Sequence, residues 1–135
     1  MYFAGYYDQL KRYPVNNTCT TGNPPICSAA ATTNVDPNSS QPGLGYASTP
    51  AVSSGPGPTY SNGIVWATKF ANINSGLYAF DAGTLSELYT SNSCFTNDAI
   101  SPGKFAVPTI ANGYVFVGTL TDFDIFGVLQ PRTCN

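Results

Sequence analysis

Histidine is missing from this 135-residue chain, and its absence excludes several kinds of chemistry. A haem attached through Cys-x-x-Cys-His requires a histidine. Metal sites with imidazole ligands, and nucleophiles activated by a Ser–His or Cys–His pair, require one as well. The missing histidine excludes these kinds of site; we name no catalytic residue and expect no bound cofactor.

Charged side chains are also scarce, with five Lys or Arg, seven Asp or Glu and a net charge of −2. No stretch forms the basic stripe that binds a phosphate backbone, so nucleic acid is not an expected partner. No apolar run approaches the length that crosses a bilayer, so we expect no membrane span.

The residues that are abundant favour β-structure. The chain contains 13 Gly, 11 Pro, many Ser, Thr and Asn, and 13 % aromatic residues. This mixture is typical of short strands joined by many turns and is poor material for helices. The length suffices for one domain with a core, and we treat residues 1–135 as a single region.

Three stretches of the chain resemble one another. Each copy has an apolar tripeptide followed by two further apolar residues in a second strand. The copies are Phe3-Ala4-Gly5 with Leu10 and Tyr13, Val65-Trp66-Ala67 with Leu77 and Phe80, and Phe116-Val117-Gly118 with Phe123 and Phe126. The first and third align without a gap. Repeats of about 40–60 residues built from short strands predict a β-propeller or another β-repeat fold.

A second pair of segments supports the repeat. Residues 49–53 match residues 107–111, and each segment is followed by an Asn-Gly dipeptide, Asn62-Gly63 and Asn112-Gly113. The predicted strands then fall into three successive blades with strands A to D. The first blade has strands B, C and a weak D at 2–7, 9–15 and 26–33. The second has all four at 49–53, 63–70, 76–81 and 87–90, and the third has A, B and C at 105–110, 114–120 and 123–129.

The predicted fold is all-β, a partial β-propeller of about two and a half four-stranded antiparallel blades with long irregular loops. Residues 16–46 form an irregular insertion rich in Pro, Thr and Asn. Because residue 1 falls inside a predicted strand B, we expect the chain to be a C-terminal portion of a larger propeller. The side chains expected in the core are Val65, Trp66, Phe80, Val107, Ile110, Phe116 and Phe126.

One motif resembles a known family. Ala79, Asp81 and Thr84 match the docking motif Ala-x-Asp-x-x-Thr-Gly-x-x-x-Trp of pyrroloquinoline-quinone-type (quinoprotein) β-propeller repeats. Leu85 replaces the motif's Gly, and Tyr89 replaces its Trp. In physical terms, the Asp81 carboxylate can accept hydrogen bonds that fix the turn, while Tyr89 packs between blades. A catalytic role for Asp81 is the alternative.

Two further segments carry the same resemblance. Residues 104–119 and 123–127 are similar to the last blade of secreted bacterial proteins of this class, and residues 63–67 are typical of the blade before it. The resemblance implies the C-terminal blades of a secreted propeller. Dehydrogenases of the family bind the quinone and a calcium or lanthanide ion, but this sequence does not show the matching constellation. Asp122 and Asp124 are weak candidates for a calcium site, and a solvated hairpin tip is the alternative.

The four cysteines favour two disulfides. Cys19 and Cys27 bracket a Pro-Pro loop, while a Cys94–Cys134 bridge would tether the C-terminal tail. Such bridges typically stabilise a fold by about 2–4 kcal/mol. Zinc bound by four thiolates is the rival, although the spacing lacks Cys-x-x-Cys, and an intermolecular bridge is a third arrangement.

The cysteines, the low charge and two glycosylation sequons, at Asn16 and Asn38, favour an extracellular, periplasmic or cell-surface location. Exposed aromatic side chains could also form a sugar-stacking surface, with Tyr6 and Tyr7 better placed than Trp66.

Three functions follow from these observations. The first is a non-catalytic structural or interaction protein, secreted or on the cell surface, whose blades are completed by other copies of itself or by further blades of a longer chain. The alternative is the C-terminal part of a quinone-dependent dehydrogenase, with pyrroloquinoline quinone and calcium as its cofactors. The third is a carbohydrate-binding propeller.

Overall fold

The computed structural model describes residues 1–5, 8–13, 31–32, 49–55, 62–71, 74–92 and 98–127. These residues form an all-β structure without a helix, which confirms the predicted class. The strands are β1 (Tyr2–Phe3), β2 (Lys11–Arg12), β3 (Ala31–Thr32), β4 (Ala51–Ser53), β5 (Ile64–Lys69), β6 (Gly76–Asp81), β7 (Glu87–Thr90), β8 (Thr109–Ala111), β9 (Tyr114–Gly118) and β10 (Phe123–Phe126).

The strands form three antiparallel sheets, none of which closes on itself. The first contains β1–β3, the middle one β4–β7 and the third β8–β10, and within each sheet consecutive strands are neighbours. This grouping follows the predicted sets of strands. β8 and β9 are joined by Asn112 and Gly113, both with positive φ, 51° and 79°, as expected of a two-residue hairpin turn with an Asn-Gly sequence.

The middle sheet is buried on both faces because its two central strands are apolar at successive positions. In β5, Val65 and Ala67 point to one face and Trp66 to the other, as the two-residue period of a strand requires. β6 is buried along Gly76 to Phe80. A strand of this kind must lie between two other layers.

Two clusters join the sheets face to face. The first cluster connects the first sheet with the middle one and contains Ala4, Leu10, Val65, Ala67, Tyr78, Phe80, Ala82 and Leu85. The second connects the middle sheet with the third and contains Leu77, Ile100, Val115 and Val117, with Trp66, Ile110 and Phe126 packed against it. The middle sheet is therefore the central layer of a three-layer stack.

The first strands of neighbouring sheets approach each other. β4 and β8 have Cα atoms within 8 Å of one another at several positions. A hydrogen bond from Thr68 Oγ1 to the carbonyl of Ala106, at 2.6 Å, links the middle sheet to the segment that leads into β8.

Two predictions about the segment around Val107 are wrong: its place in the core and the start of β8. Its side chain is 48 % exposed, and the strand begins at Thr109, not at residue 105. The chain first makes a turn, in which the Ala106 N–H donates to the Gly103 carbonyl and Phe105 has a φ of 61°. Only after buried Pro108 does the backbone extend. Of the other expected core residues, Val65 and Phe80 are buried, whereas Phe116 is half-buried on the outer side of the third sheet.

Strand pairing also corrects the gap-free alignment of the repeats. Tyr2 pairs with Arg12, and Phe116 pairs with Ile125. The gap-free alignment matches Arg12 with Ile125 in the second strand of each copy. Because the partner of Arg12 is Tyr2 and the partner of Ile125 is Phe116, Phe116 corresponds to Tyr2 and not to Phe3. The connection from β1 to β2 therefore has one residue more than that from β9 to β10.

The middle sheet follows the same rule. Trp66 pairs with Ala51 and Phe116 pairs with Thr109, and the match of residues 49–53 with 107–111 aligns Ala51 with Thr109. Trp66 therefore corresponds to Phe116. Tyr2, Trp66 and Phe116 thus occupy equivalent positions on one face of each sheet, which we call the leading face. In the first two sheets the leading face packs on the next sheet along the chain. The opposite face is the trailing face.

Candidate interaction surface

The predicted docking motif forms the turn between β6 and β7. Asp81 Oδ1 accepts hydrogen bonds from the Gly83 N–H at 2.9 Å, the Thr84 N–H at 2.7 Å and the Thr84 hydroxyl at 2.9 Å. These donors, with Thr84 first, hold the pKa of Asp81 below its usual value. All three hydrogen bonds join Asp81 to residues of its own turn, which supports the turn-forming role.

Leu85, which stands where the family motif has Gly, adopts a conformation that suits glycine. Its φ is 60°, in the left-handed region, and its side chain is buried in the first cluster. Left-handed backbone is unfavourable for a residue with a Cβ. The substitution in the motif thus combines a strained backbone with additional buried apolar surface.

Tyr89 contacts the third sheet, where the motif places Trp. Its ring meets the Phe126 ring edge-on, with the centroids 6.4 Å apart and the planes at 65°. Its hydroxyl is buried and finds no hydrogen-bond partner among the described residues, and burial raises its pKa to about 12. Ala79, also in the motif, is buried in β6 and pairs with Tyr89.

Of the two acidic candidates, Asp122 lies in the turn before β10 and Asp124 lies in β10. Asp122 donates its N–H to Thr119 Oγ1 at 2.8 Å and accepts from the Thr121 hydroxyl at 2.7 Å. Asp124 lies in β10 opposite Val117, and both acids line a polar pocket of about 300 Å³. Within the described ranges, no group of three or more His, Cys, Asp or Glu side chains is placed to hold a metal ion.

Several predicted positions lie outside the described residues. These are the disulfide candidates Cys19, Cys27, Cys94 and Cys134, the sequon residues Asn16 and Asn38, and the aromatic residues Tyr6 and Tyr7. In the part of the chain that the structure describes, no helix has the length and apolar character needed to cross a bilayer.

A surface that the sequence did not single out lies on the leading face of the third sheet. We call it the outer aromatic face: Tyr114, Phe116, Phe123 and Ile125. Phe123 is 62 % exposed and Ile125 58 % exposed. The Phe116 and Phe123 rings stack with centroids 5.7 Å apart, and Tyr114 approaches Phe116 at 6.4 Å. Pairing of Ile125 with Phe116 makes the surface continuous across β9 and β10.

Phe3 is exposed at the other end of the stack. It lies on the trailing face of the first sheet, 56 % exposed, and pairs with Lys11 across β1 and β2. Lys11 Nζ donates to Asp8 Oδ2 at 2.7 Å, and this hydrogen bond lowers the pKa of Asp8 and raises that of Lys11.

No protein-family model, curated protein or solved structure matches this chain.

Proposed function

We propose that the protein is a non-catalytic structural or interaction protein, secreted or on the cell surface, built of propeller-type blades. Its third sheet binds a further β-sheet through the outer aromatic face. The observation that carries the proposal is the exposure of Phe123 and Ile125 beside the stacked rings of Phe116 and Tyr114. A contiguous apolar patch of this kind marks an interaction site more often than a free surface.

The packing of the sheets supports the propeller element of the proposal. Propeller blades pack face to face and converge at their first strands, which surround the central axis. Here the middle sheet packs on both neighbours, and the approach of β4 to β8 is that of first strands.

Covering the exposed apolar side chains of this face is energetically favourable. Burying a Phe or Ile side chain contributes roughly 1.5–3 kcal/mol, so covering Phe123 and Ile125 would contribute favourably to association, together with the rest of the interface. Among the described residues of β9 and β10, no charged side chain lies on this face to oppose association by its desolvation, because Asp124 lies on the trailing side.

The test is the mass of the protein from its natural source, measured denatured with reductant, which separates disulfide-linked chains, and then native. A denatured mass far above 14.2 kDa would show that the same polypeptide supplies further sheets. A denatured mass near that of one chain with a larger native mass would show that other subunits do so. A mass of one chain under both conditions would contradict the proposal.

A variant pair sharpens this test. Ile125→Lys should disrupt binding at the outer aromatic face because it places an ammonium in the interface. Leu88→Lys is the matched control: Leu88 is equally exposed, at 57 %, but lies in β7 of the middle sheet. We expect loss of the larger species with the first variant only. Equal behaviour of the two variants would argue against the face.

Carbohydrate binding is the second candidate, because Tyr114, Phe116 and Phe123 form neighbouring exposed or half-exposed rings on which sugars could stack. Glycan-array binding that Phe123→Ala abolishes would favour this function. Absence of glycan binding together with assembly would favour the first.

A further inference from the structure

Both described interfaces between sheets join a leading face to a trailing face. The leading face of the first sheet meets the trailing face of the middle sheet, and the leading face of the middle sheet meets the trailing face of the third. The outer aromatic face is the next leading face in this series, and it is exposed. The trailing face of the first sheet is exposed as well.

The positions equivalent to Phe123 in the other two sheets are covered by a neighbouring sheet, whereas Phe123 is not. Leu10 in the first sheet and Leu77 in the middle sheet are fully buried, each by the sheet that follows it. Phe123 is the equivalent residue in the third sheet and is largely exposed. The same position is therefore an inter-sheet contact in two copies of the repeat and uncovered in the third.

The trailing faces show the complementary pattern. The residues equivalent to Phe3 are Ala67 in the middle sheet and Val117 in the third, and both are fully buried against the preceding sheet. A phenylalanine, larger than either, occupies this position in the first sheet and is more than half exposed.

Shape supports pairing of the two open faces. Gly118 pairs with Phe123 and lies on the outer aromatic face, and a side chain built there would meet no atom within 4 Å. The equivalent residues, Ala4 and Thr68, carry side chains. Gly118 thus leaves open space on this face beside Phe116 and Phe123, and the Phe3 side chain of a second copy could pack there.

Charge does not oppose the pairing. Lys11, the cation on the trailing face beside Phe3, already forms an ion pair with Asp8. The net charge of the chain is only −2, so repulsion between two copies is weak.

We propose that the outer aromatic face of one copy binds the trailing face of the first sheet of a second copy, with Phe3 packed over Gly118. The inference rests on the proposed function and specifies its partner. The contact joins two different surfaces, so repetition produces an open chain of subunits, or a ring if the rotation closes.

The test uses two full-length variants, Phe3→Lys and Phe123→Lys, whose masses are measured in solution over a range of concentrations. Each variant removes one of the two faces, so the self-association of each variant alone should be weakened at least about tenfold, and at concentrations where the wild type assembles each should be mainly a single chain. An equimolar mixture should form a dimer and nothing larger, because each variant retains the face that the other lost.

Controls separate folding from binding. Both substitutions are at exposed positions, and circular dichroism should show that each variant retains the wild-type fold, and the wild-type melting temperature at a concentration where the wild type is dissociated. Phe3→Ser and Phe123→Ser provide a second, uncharged pair with the same expected behaviour. Leu88→Lys should assemble like the wild type.

The outcomes distinguish the two proposals. If Phe123→Lys loses assembly but Phe3→Lys keeps it, the face is an interface with another partner: the proposed function stands and the head-to-tail contact is wrong. If the wild type is one chain at every concentration, a second copy is not the partner. If both variants assemble like the wild type, both proposals fail.

A photo-crosslinker at position 3 locates the contact directly. In a mixture of unlabelled and ¹⁵N-labelled protein, benzoylphenylalanine at this position should form crosslinks between the two isotopic species, in the peptide that contains Gly118. Crosslinks confined to one isotopic species, or to a different peptide, would overturn the assignment.

Discussion

Leu85 shows how one residue can have opposing effects on stability. Its side chain is buried in the first cluster while its backbone has a φ of 60°. Truncation to Ala removes buried surface and leaves the backbone strained, whereas Gly relieves the strain.

Leu85→Ala should therefore lower the free energy of unfolding by about 2–3 kcal/mol, and Leu85→Gly should cost no more. At an ordinary backbone position Gly would be the worse of the two by about 0.5–1 kcal/mol. Urea unfolding of both variants measures the difference. Ala82→Gly, in the same turn but without a positive φ, should be destabilising, and a larger loss for Leu85→Gly than for Leu85→Ala would show that the strain is unimportant.

Asp81 should make the stability of the protein depend on pH. Its pKa is lowered in the folded state by the Thr84 and Gly83 donors, so the carboxylate stabilises the fold above the unfolded pKa. This contribution should be lost as the pH falls below about 4 and through the folded pKa.

Asp81→Asn should flatten the acid side of the stability curve relative to the wild type. Thr84→Val removes one of the three donors to Asp81, and with it the acceptor of the Ser86 N–H, so the pH dependence of its stability should lie between the other two. Urea unfolding at a series of pH values gives the comparison, and identical slopes for wild type and Asp81→Asn would exclude the turn as the source.

At the scale of the elements, β6 requires a glycine at position 76 because the strand closely approaches the residues that follow β7. A Cβ at this position would lie 2.5 Å from Ser91 Oγ and 2.6 Å from Asn92 Nδ2. Ser91 is buried and accepts a hydrogen bond from the Leu77 N–H, so it has little freedom to move.

Gly76→Ala should lower the free energy of unfolding by about 1–3 kcal/mol through overpacking. Gly103→Ala is the matched control, because its Cβ would meet only the Thr119 carbonyl oxygen, at an ordinary 3.7 Å. Chemical denaturation of both variants is the measurement. Equal stability of the two would mean that the turn after β7 adjusts easily.

The strand boundaries show where periodicity is informative. β6 and β7 begin and end at the predicted residues, and β5 differs by one residue at each end, because apolar β-forming residues fill these strands. The predicted start of β8, at residue 105, was wrong because the turn at Gly103–Ala106 interrupts a segment whose composition also suits a strand. Composition does not reveal a turn in which Phe105 adopts a positive φ.

At the scale of the whole molecule, stability should be unevenly distributed. β5 and β6 are long and covered on both faces, whereas each strand of the first sheet has only two described residues in its ladder. Local opening requires less free energy where fewer buried contacts are lost.

Native-state hydrogen exchange should therefore be slowest at the amides of β5 and β6 and faster in β1–β3. Assembly through the proposed contact should slow exchange in β10 and β1 together, while β7 is unaffected. Exchange at dilute and concentrated protein compares the two states. Protection of β10 without β1 would agree with a different partner.

The sequence by itself determined the class of the fold, because alternating apolar and β-branched residues between Gly, Pro and Asn turns specify strands and their antiparallel order. It also located the Asp81 turn through residues close in the chain. Only the tertiary structure decided which faces are covered. Residues 114–117 and 123–126 are apolar on both faces or nearly so. Such a pattern does not show which face a neighbouring sheet covers and which is left exposed, because burial depends on contacts between distant segments.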